Sequence, residues 1–126
     1  MELNYIHHVA FIASDYEKTM EFYVRKLGFE ILRENHRPEK GDIKLDLKLG
    51  THELEIFVIK SAPPRPNYPE SLGLRHLAFK VNNIHEAVAW LNDKGIETEP
   101  VRFDPYTQNH MTFFKDPDGL PLEIHE

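Results

Sequence analysis

The feature that most constrains this chain is an internal repeat. His8-Val9-Ala10-Phe11 returns as His76-Leu77-Ala78-Phe79, and Leu54-Glu55-Ile56 returns as Leu122-Glu123-Ile124, each 68 residues later. The helix-capping residues Asp15 and Asn83 share that offset, and the helix stops Gly28 and Gly95 slip from it by one residue. Two long copies cannot make a solenoid, which stacks more and shorter units. They are expected to pair about a pseudo-two-fold axis, with equivalent positions facing one another.

Apolar periodicity gives each copy the same order of elements. In the first, Tyr5 to Ile12 reads as a strand, with His7 and His8 on opposite faces. Asp15 caps a helix carrying Tyr16, Met20, Tyr23, Val24 and Leu27, which ends at Gly28. Strands follow over Phe29 to Glu34, Ile43 to Leu49 and His52 to Ile59, with a turn over Arg37 to Asp42. In the second copy, Leu74 to Val81 is a strand. A helix capped by Asn83 runs to Lys94-Gly95, and Ile96 to Phe103, Met111 to Lys115 and Leu120 to Ile124 are strands. Asp116-Pro117-Asp118-Gly119 is a turn by composition. The predicted fold class is α+β: two βαβββ modules paired into a curved, barrel-like mixed sheet around a cavity, helices outside. A single domain is expected, with module one over 1–60, a proline-stiffened linker over 61–73 and module two over 74–126.

The chain's 126 residues suffice for a real core. A net charge of −6 argues against a nucleic-acid partner, since phosphate binding needs a basic surface. Without cysteine there is no disulfide, thiolate metal site or Cys nucleophile. No apolar run reaches membrane-spanning length and no leader opens the chain, so the expected location is cytoplasmic.

Each copy carries one His and one Glu at matched positions: His8 with Glu55, and His76 with Glu123. Alone, a His in a strand is usually a structural residue and a Glu in a half-buried strand usually faces solvent. Matched spacing is what raises these four above that reading, because a duplication kept only for structure needs only its apolar pattern. Glu53 shares a face with Glu55, and His7 adjoins His8; the repeat alignment selects Glu55 and His8. Two imidazoles and two carboxylates without sulfur suit a divalent ion: Zn or Ni first, with Co, Mn or Fe(II) also admitted. Arg37, Arg75 and Arg102 are candidates for an anionic substrate group, Arg75 the weakest because alternation turns it from the face of His76. His110, Tyr106 and Asn109 are placed in a polar loop, and His125 is expected to be simply exposed.

These residues, with the helix end Phe22-Tyr23-Val24-Arg25-Lys26-Leu27-Gly28-Phe29 and Asp116-Pro117-Asp118-Gly119, give the whole chain a resemblance to the vicinal oxygen chelate superfamily, and to glyoxalase I in particular. The family places a metal ligand at four equivalent strand positions, which fall on His8, Glu55, His76 and Glu123. Extradiol dioxygenases and fosfomycin-resistance proteins leave the position of Glu55 unused, and methylmalonyl-CoA epimerase has Gln there. The resemblance therefore implies a divalent-metal-dependent lyase or isomerase. It would act on a small vicinal-oxygen substrate through a metal-bound enediolate, with Glu123, ahead of Glu55, as general base. The alternatives are a fosfomycin- or bleomycin-resistance-like transferase or binding protein, and an Fe(II) extradiol-type dioxygenase. Ile56-Phe57-Val58-Ile59-Lys60 lacks the Asn-containing segment that helps glyoxalase I hold glutathione, and the first strand lacks its Arg. Both departures speak against glutathione as the thiol. The expected partners are a small-molecule substrate and a second copy in a homodimer.

Overall fold

The computed structural model describes all residues, Met1–Glu126. It divides into two compact units, Met1–Pro63 and Pro64–Glu126. The first contains β1 (His8–Ala13), α1 (Tyr16–Thr19), a π-helical continuation (Met20–Lys26), β2 (Ile31–Arg37), β3 (Asp42–Leu49) and β4 (His52–Val58). The second contains β5 (Leu77–Lys80), α2 (Ile84–Asp93), β6 (Arg102–Asp104), β7 (Asn109–Lys115) and β8 (Pro121–His125). The sheets have orders β1-β4-β3-β2 and β5-β8-β7-β6. In both, the first and last strands of the unit run parallel and the remaining pairs antiparallel. The α+β class and the two βαβββ modules are thus the observed architecture. The eight strands form two separate mixed sheets and do not close into a barrel. No helix is long and apolar enough to cross a membrane.

One face of each sheet carries its helix. In the first unit Leu45, Leu47, Leu54, Ile56 and Val58 are buried, and Phe11 meets Tyr23 of the helical segment with ring centroids 5.4 Å apart. In the second, Leu122, Ile124 and Phe114 are buried, as are Ile84 and Leu91 of α2, which packs on β7 and β8. Both helices start on side-chain caps. Asp15 accepts from Lys18 N at 2.8 Å, and Asn83 accepts from Glu86 N at 3.0 Å. An Asn83→Ala substitution is expected to cost about 1 kcal/mol, read as a lowered urea midpoint, because α2 then starts with an unsatisfied amide.

Several boundaries differ from the periodicity reading, each for a local reason. The first strand begins at His8 rather than Tyr5, and Tyr5 and Ile6 are exposed. His7 therefore precedes the strand and does not alternate with His8: their Nδ1 atoms lie 2.9 Å apart. The first helix widens after one turn, with Leu27 N donating to Phe22 O at 2.9 Å, five residues back. The wider turn lets Phe22 bury beside Tyr23; of the expected stripe, Tyr23 is buried and Tyr16, Met20, Val24 and Leu27 are half-buried. Strand β2 is Ile31–Arg37, shifted from Phe29–Glu34.

In the second unit β5 starts at Leu77, so His76 stands just before it. Glu53 N donates to His7 O at 3.2 Å in the first unit; the equivalent of Glu53 is Pro121, which has no N–H to give Arg75 O. The Arg65 guanidinium takes over, donating to Arg75 O at 3.0 Å and Leu74 O at 3.2 Å. Residues 96–101 do not form the expected strand either. Glu99 N still donates to Phe113 O at 2.9 Å, but Pro100 cannot donate and the Thr112 hydroxyl takes Glu99 O at 2.7 Å, so the regular ladder is confined to Arg102–Asp104.

The β2–β3 turn is clamped by Arg37, whose Nε and Nη2 each donate to Asp42 at 2.7 Å. The guanidinium holds the Asp42 carboxyl below its ordinary value. A depressed folded pKa means a contribution that is present above the unfolded carboxylate value and lost as pH falls through the folded one. Asp42→Asn is therefore expected to lower stability near pH 7 and to differ less and less from wild type as pH falls below about 4, which flattens the acid limb. Urea midpoints measured at both pH values check this.

Candidate functional site

The helix-free face of each sheet carries the candidate residues. Register places Ala10 opposite Glu55 and Ala78 opposite Glu123. Each His sits two residues before its Ala, on the same face, diagonal to the Glu. His8 Nε2 lies 3.4 Å from Glu55 Oε2, and His76 Nε2 lies 3.8 Å from Glu123 Oε2. The small Ala methyl leaves the space between imidazole and carboxylate open. In each unit the His and Glu singled out in the sequence are thus brought together. No third His, Asp or Glu completes a metal-holding group around either pair.

The competition between Glu53 and Glu55 resolves in contacts. Glu53 is engaged by the Arg33 guanidinium, while Glu55 faces His8. Arg33 Nε also donates to Asp46 at 2.9 Å, and Asp46 is only 1% exposed. Lys44 Nζ lies 3.2 Å from Asp46 and 3.9 Å from Glu55 Oε1. The first unit therefore surrounds its Glu with a network of alternating charge. The contact of His8 Nδ1 with His7 Nδ1 occupies the ring nitrogen that faces away from Glu55.

The second unit surrounds its Glu differently. Phe113 stands opposite Glu123, and its ring meets the His76 ring edge-on at 5.0 Å. Arg102 stacks over the same Phe113 at 5.2 Å. Among the three arginines considered for an anionic group, Arg37 is clamped by Asp42 and lies over Phe57, while Arg75 pairs with Glu70 beside Tyr68. Arg102 has one longer contact, 3.4 Å to Glu99.

His125 is half-buried rather than simply exposed, and it lies two residues beyond Glu123 on the same face. Its Nδ1 is 2.6 Å from Glu126 O, and its Nε2 is 3.4 Å from Asp104 and 3.3 Å from the Thr107 hydroxyl. The carbonyl contact and then Asp104 raise the His125 pKa, while the Tyr106 amide and then His125 lower that of Asp104. Alternation along Leu120 to Ile124, carried one residue further, would have placed His125 on this face. His110 lies on β7 rather than in a loop. It sits on the helix-bearing face and is bonded at 3.2 Å to Glu126, whose carboxylate also accepts from Ile84 N at the start of α2. Tyr106 is fully exposed, and Asn109 opens β7.

The donors fit a divalent ion in type and spacing. Two ligands of one tetrahedral ion, each about 2.1 Å from it, stand about 3.4 Å apart. The His–Glu gaps, 3.4 and 3.8 Å, are of that size and too long for a good hydrogen bond.

Residues 5–124 match the model of the Glyoxalase/Bleomycin resistance protein/Dioxygenase superfamily. The uncharacterized protein YwkD of Bacillus subtilis is 54% identical over 127 residues, covering 100% of this chain and 99% of that protein. The crystal structure of a glyoxalase family protein from Enterococcus faecalis, 67% identical, superposes with a TM-score of 0.96 over 100% of both chains. A probable lactoylglutathione lyase of Synechocystis is 29% identical over 123 residues, covering 93% of this chain and 91% of that protein. A duplicated βαβββ fold with a His–Glu pair on each sheet, matched over nearly its whole length, belongs to the glyoxalase/bleomycin resistance protein/dioxygenase superfamily.

Proposed function

We propose that His8, Glu55, His76 and Glu123, drawn from one chain or from two copies in a homodimer, hold a divalent ion, with Zn or Ni first. The protein is then a lyase or isomerase of the glyoxalase I type, acting on a small substrate with two adjacent oxygens. The observation that carries this reading is the pairing of each imidazole with its repeat-matched carboxylate, at 3.4 and 3.8 Å. The relationship to a probable lactoylglutathione lyase supports the reaction class.

An ion held there supplies Lewis acidity toward the two substrate oxygens. The chain's own residues do the rest. Glu123, mostly buried and without a Lys or Arg partner, takes the proton from the carbon next to the carbonyl and returns it to the neighbouring carbon. Phe113 and Met111 shield that proton transfer from water, and Arg102 above Phe113 receives an anionic group of the substrate. The full His-Glu-His-Glu set favours this reading over an oxygenase or a resistance protein.

The test is proton exchange. The metal-loaded protein, offered hemithioacetals of several thiols and epimerisable 2-substituted acids in D2O, is expected to place solvent deuterium at the reacting carbon of at least one. If the loaded protein exchanges no carbon-bound proton in any of them, yet consumes oxygen with a catechol, the reading is wrong.

A further inference from the structure

The two halves of the duplication treat their carboxylates differently, and the difference lies in one pair of positions. In the first unit Lys44 is opposite Phe57 and Asp46 is opposite Glu55. In the second, Met111 is opposite His125 and Phe113 is opposite Glu123. Phe57 and His125, like Glu55 and Glu123, are repeat equivalents, so Met111 stands where Lys44 stands and Phe113 where Asp46 stands. A half-buried Lys paired with a buried Asp in one half is replaced by Met and Phe in the other.

The consequence for the two glutamates is direct. Glu55 has an imidazole at one oxygen and an ammonium at the other: Oε2 lies 3.4 Å from His8 Nε2, and Oε1 lies 3.9 Å from Lys44 Nζ. Lys44 is held in place by Asp46, which is 1% exposed and shared with Arg33. Glu123 has the His76 imidazole at 3.8 Å and interacts more weakly with the His125 imidazole two residues on, with an aromatic ring and a thioether in place of the Lys–Asp pair.

We infer that Lys44 is a positioning residue that splits the duties of the two carboxylates. It holds Glu55 by one oxygen and opposes a dication beside it, while Glu123 keeps its full negative charge for the ion and the migrating proton. This rests on the metal reading above. It adds that the protein gives up some metal affinity in its first half, because a fixed cation beside a ligand lowers that ligand's attraction for a divalent ion.

Zn2+ dissociation constants, measured by competition with a chromophoric chelator on the full chain, test this. Lys44→Met installs the residue the second unit already uses, and is expected to tighten Zn2+ binding about ten-fold. That is the size of one unit charge removed about 6 Å from a dication in a water-like medium. Lys44→Arg keeps the charge and should keep the wild-type constant. Met111→Lys adds an ammonium beside Glu123 and should weaken binding by a similar factor; it reports independently if Lys44→Met does not fold. A purely structural Lys44 would give weaker binding in Lys44→Met, and that result overturns the inference. So does a wild-type constant in both Lys44→Met and Met111→Lys. A wild-type protein that takes up no Zn2+, Ni2+, Co2+, Mn2+ or Fe2+ instead overturns the metal reading, and the inference falls with it.

Discussion

Glu123→Gln is expected to lower turnover by about 10²–10⁴-fold, the usual contribution of a positioned general base. It is the residue whose surroundings best suit proton transfer. The residue is 8% exposed, an imidazole stands 3.8 Å away, and Phe113 lies opposite. A Gln there keeps the shape and breaks no ion pair with Lys or Arg, so the fold should survive. Rate constants at saturating metal, taken beside thermal midpoints, separate the two effects. A folded variant that keeps more than a tenth of wild-type turnover would remove Glu123 from the role of base. Glu55→Gln makes a useful contrast. It leaves Lys44 and Asp46 paired without their third member, and it should affect metal retention more than proton transfer.

The largest effects on stability are expected in the repeat-equivalent core pair Leu54 and Leu122, both fully buried. Each packs on the helix-bearing face between a parallel and an antiparallel neighbour: Leu54 against Val9 and Leu47, Leu122 against Leu77 and Phe114. Truncation to Ala removes buried methyl groups and leaves a cavity that a strand flanked on both sides cannot collapse. Each substitution should cost about 2–5 kcal/mol. Denaturant midpoints read the loss, and a cost below about 1 kcal/mol at either position would show that the site relaxes freely. Because these side chains point away from His8, Glu55, His76 and Glu123, metal affinity in the folded fraction should stay at the wild-type value.

Much of this molecule was legible in the sequence because a duplication states the same information twice. The offset shared by His8 and His76, and by Glu55 and Glu123, selected one residue from each pair of neighbours, and the structure shows both His–Glu pairs in contact range. The two βαβββ orders, the caps at Asp15 and Asn83 and the turn at Asp116 were legible for the same reason.

What could not be read came from places where the copies differ or where the backbone departs from ideal periods. Apolar spacing carries no sign of a helix that widens to five-residue bonding, so the joint burial of Phe22 and Tyr23 was missed. Proline edits hydrogen-bond ladders one group at a time. Pro121 ends β5 short of His76, and Pro100 helps dissolve the expected strand before Arg102. The strand reading also placed His7 and His8 on opposite faces, which holds only where both residues lie inside the ladder. The charge network of Lys44, Asp46 and Arg33 was within reach. Alternation in Ile43 to Leu49 had already put Lys44 and Asp46 on one face, but only strand register shows that this face is also the face of Glu55.

The central claim is that the two His–Glu pairs serve a single divalent ion, and metal stoichiometry tests it most directly. Elemental analysis of protein purified without added metal, then repeated after saturation and desalting, is expected to find one divalent ion per set of four ligands. His76→Ala should lose that ion despite an intact His8–Glu55 pair, because half of the set cannot retain it. A wild-type protein that holds no stoichiometric ion and takes none up, or a His76→Ala variant that binds as tightly as wild type, would contradict the account.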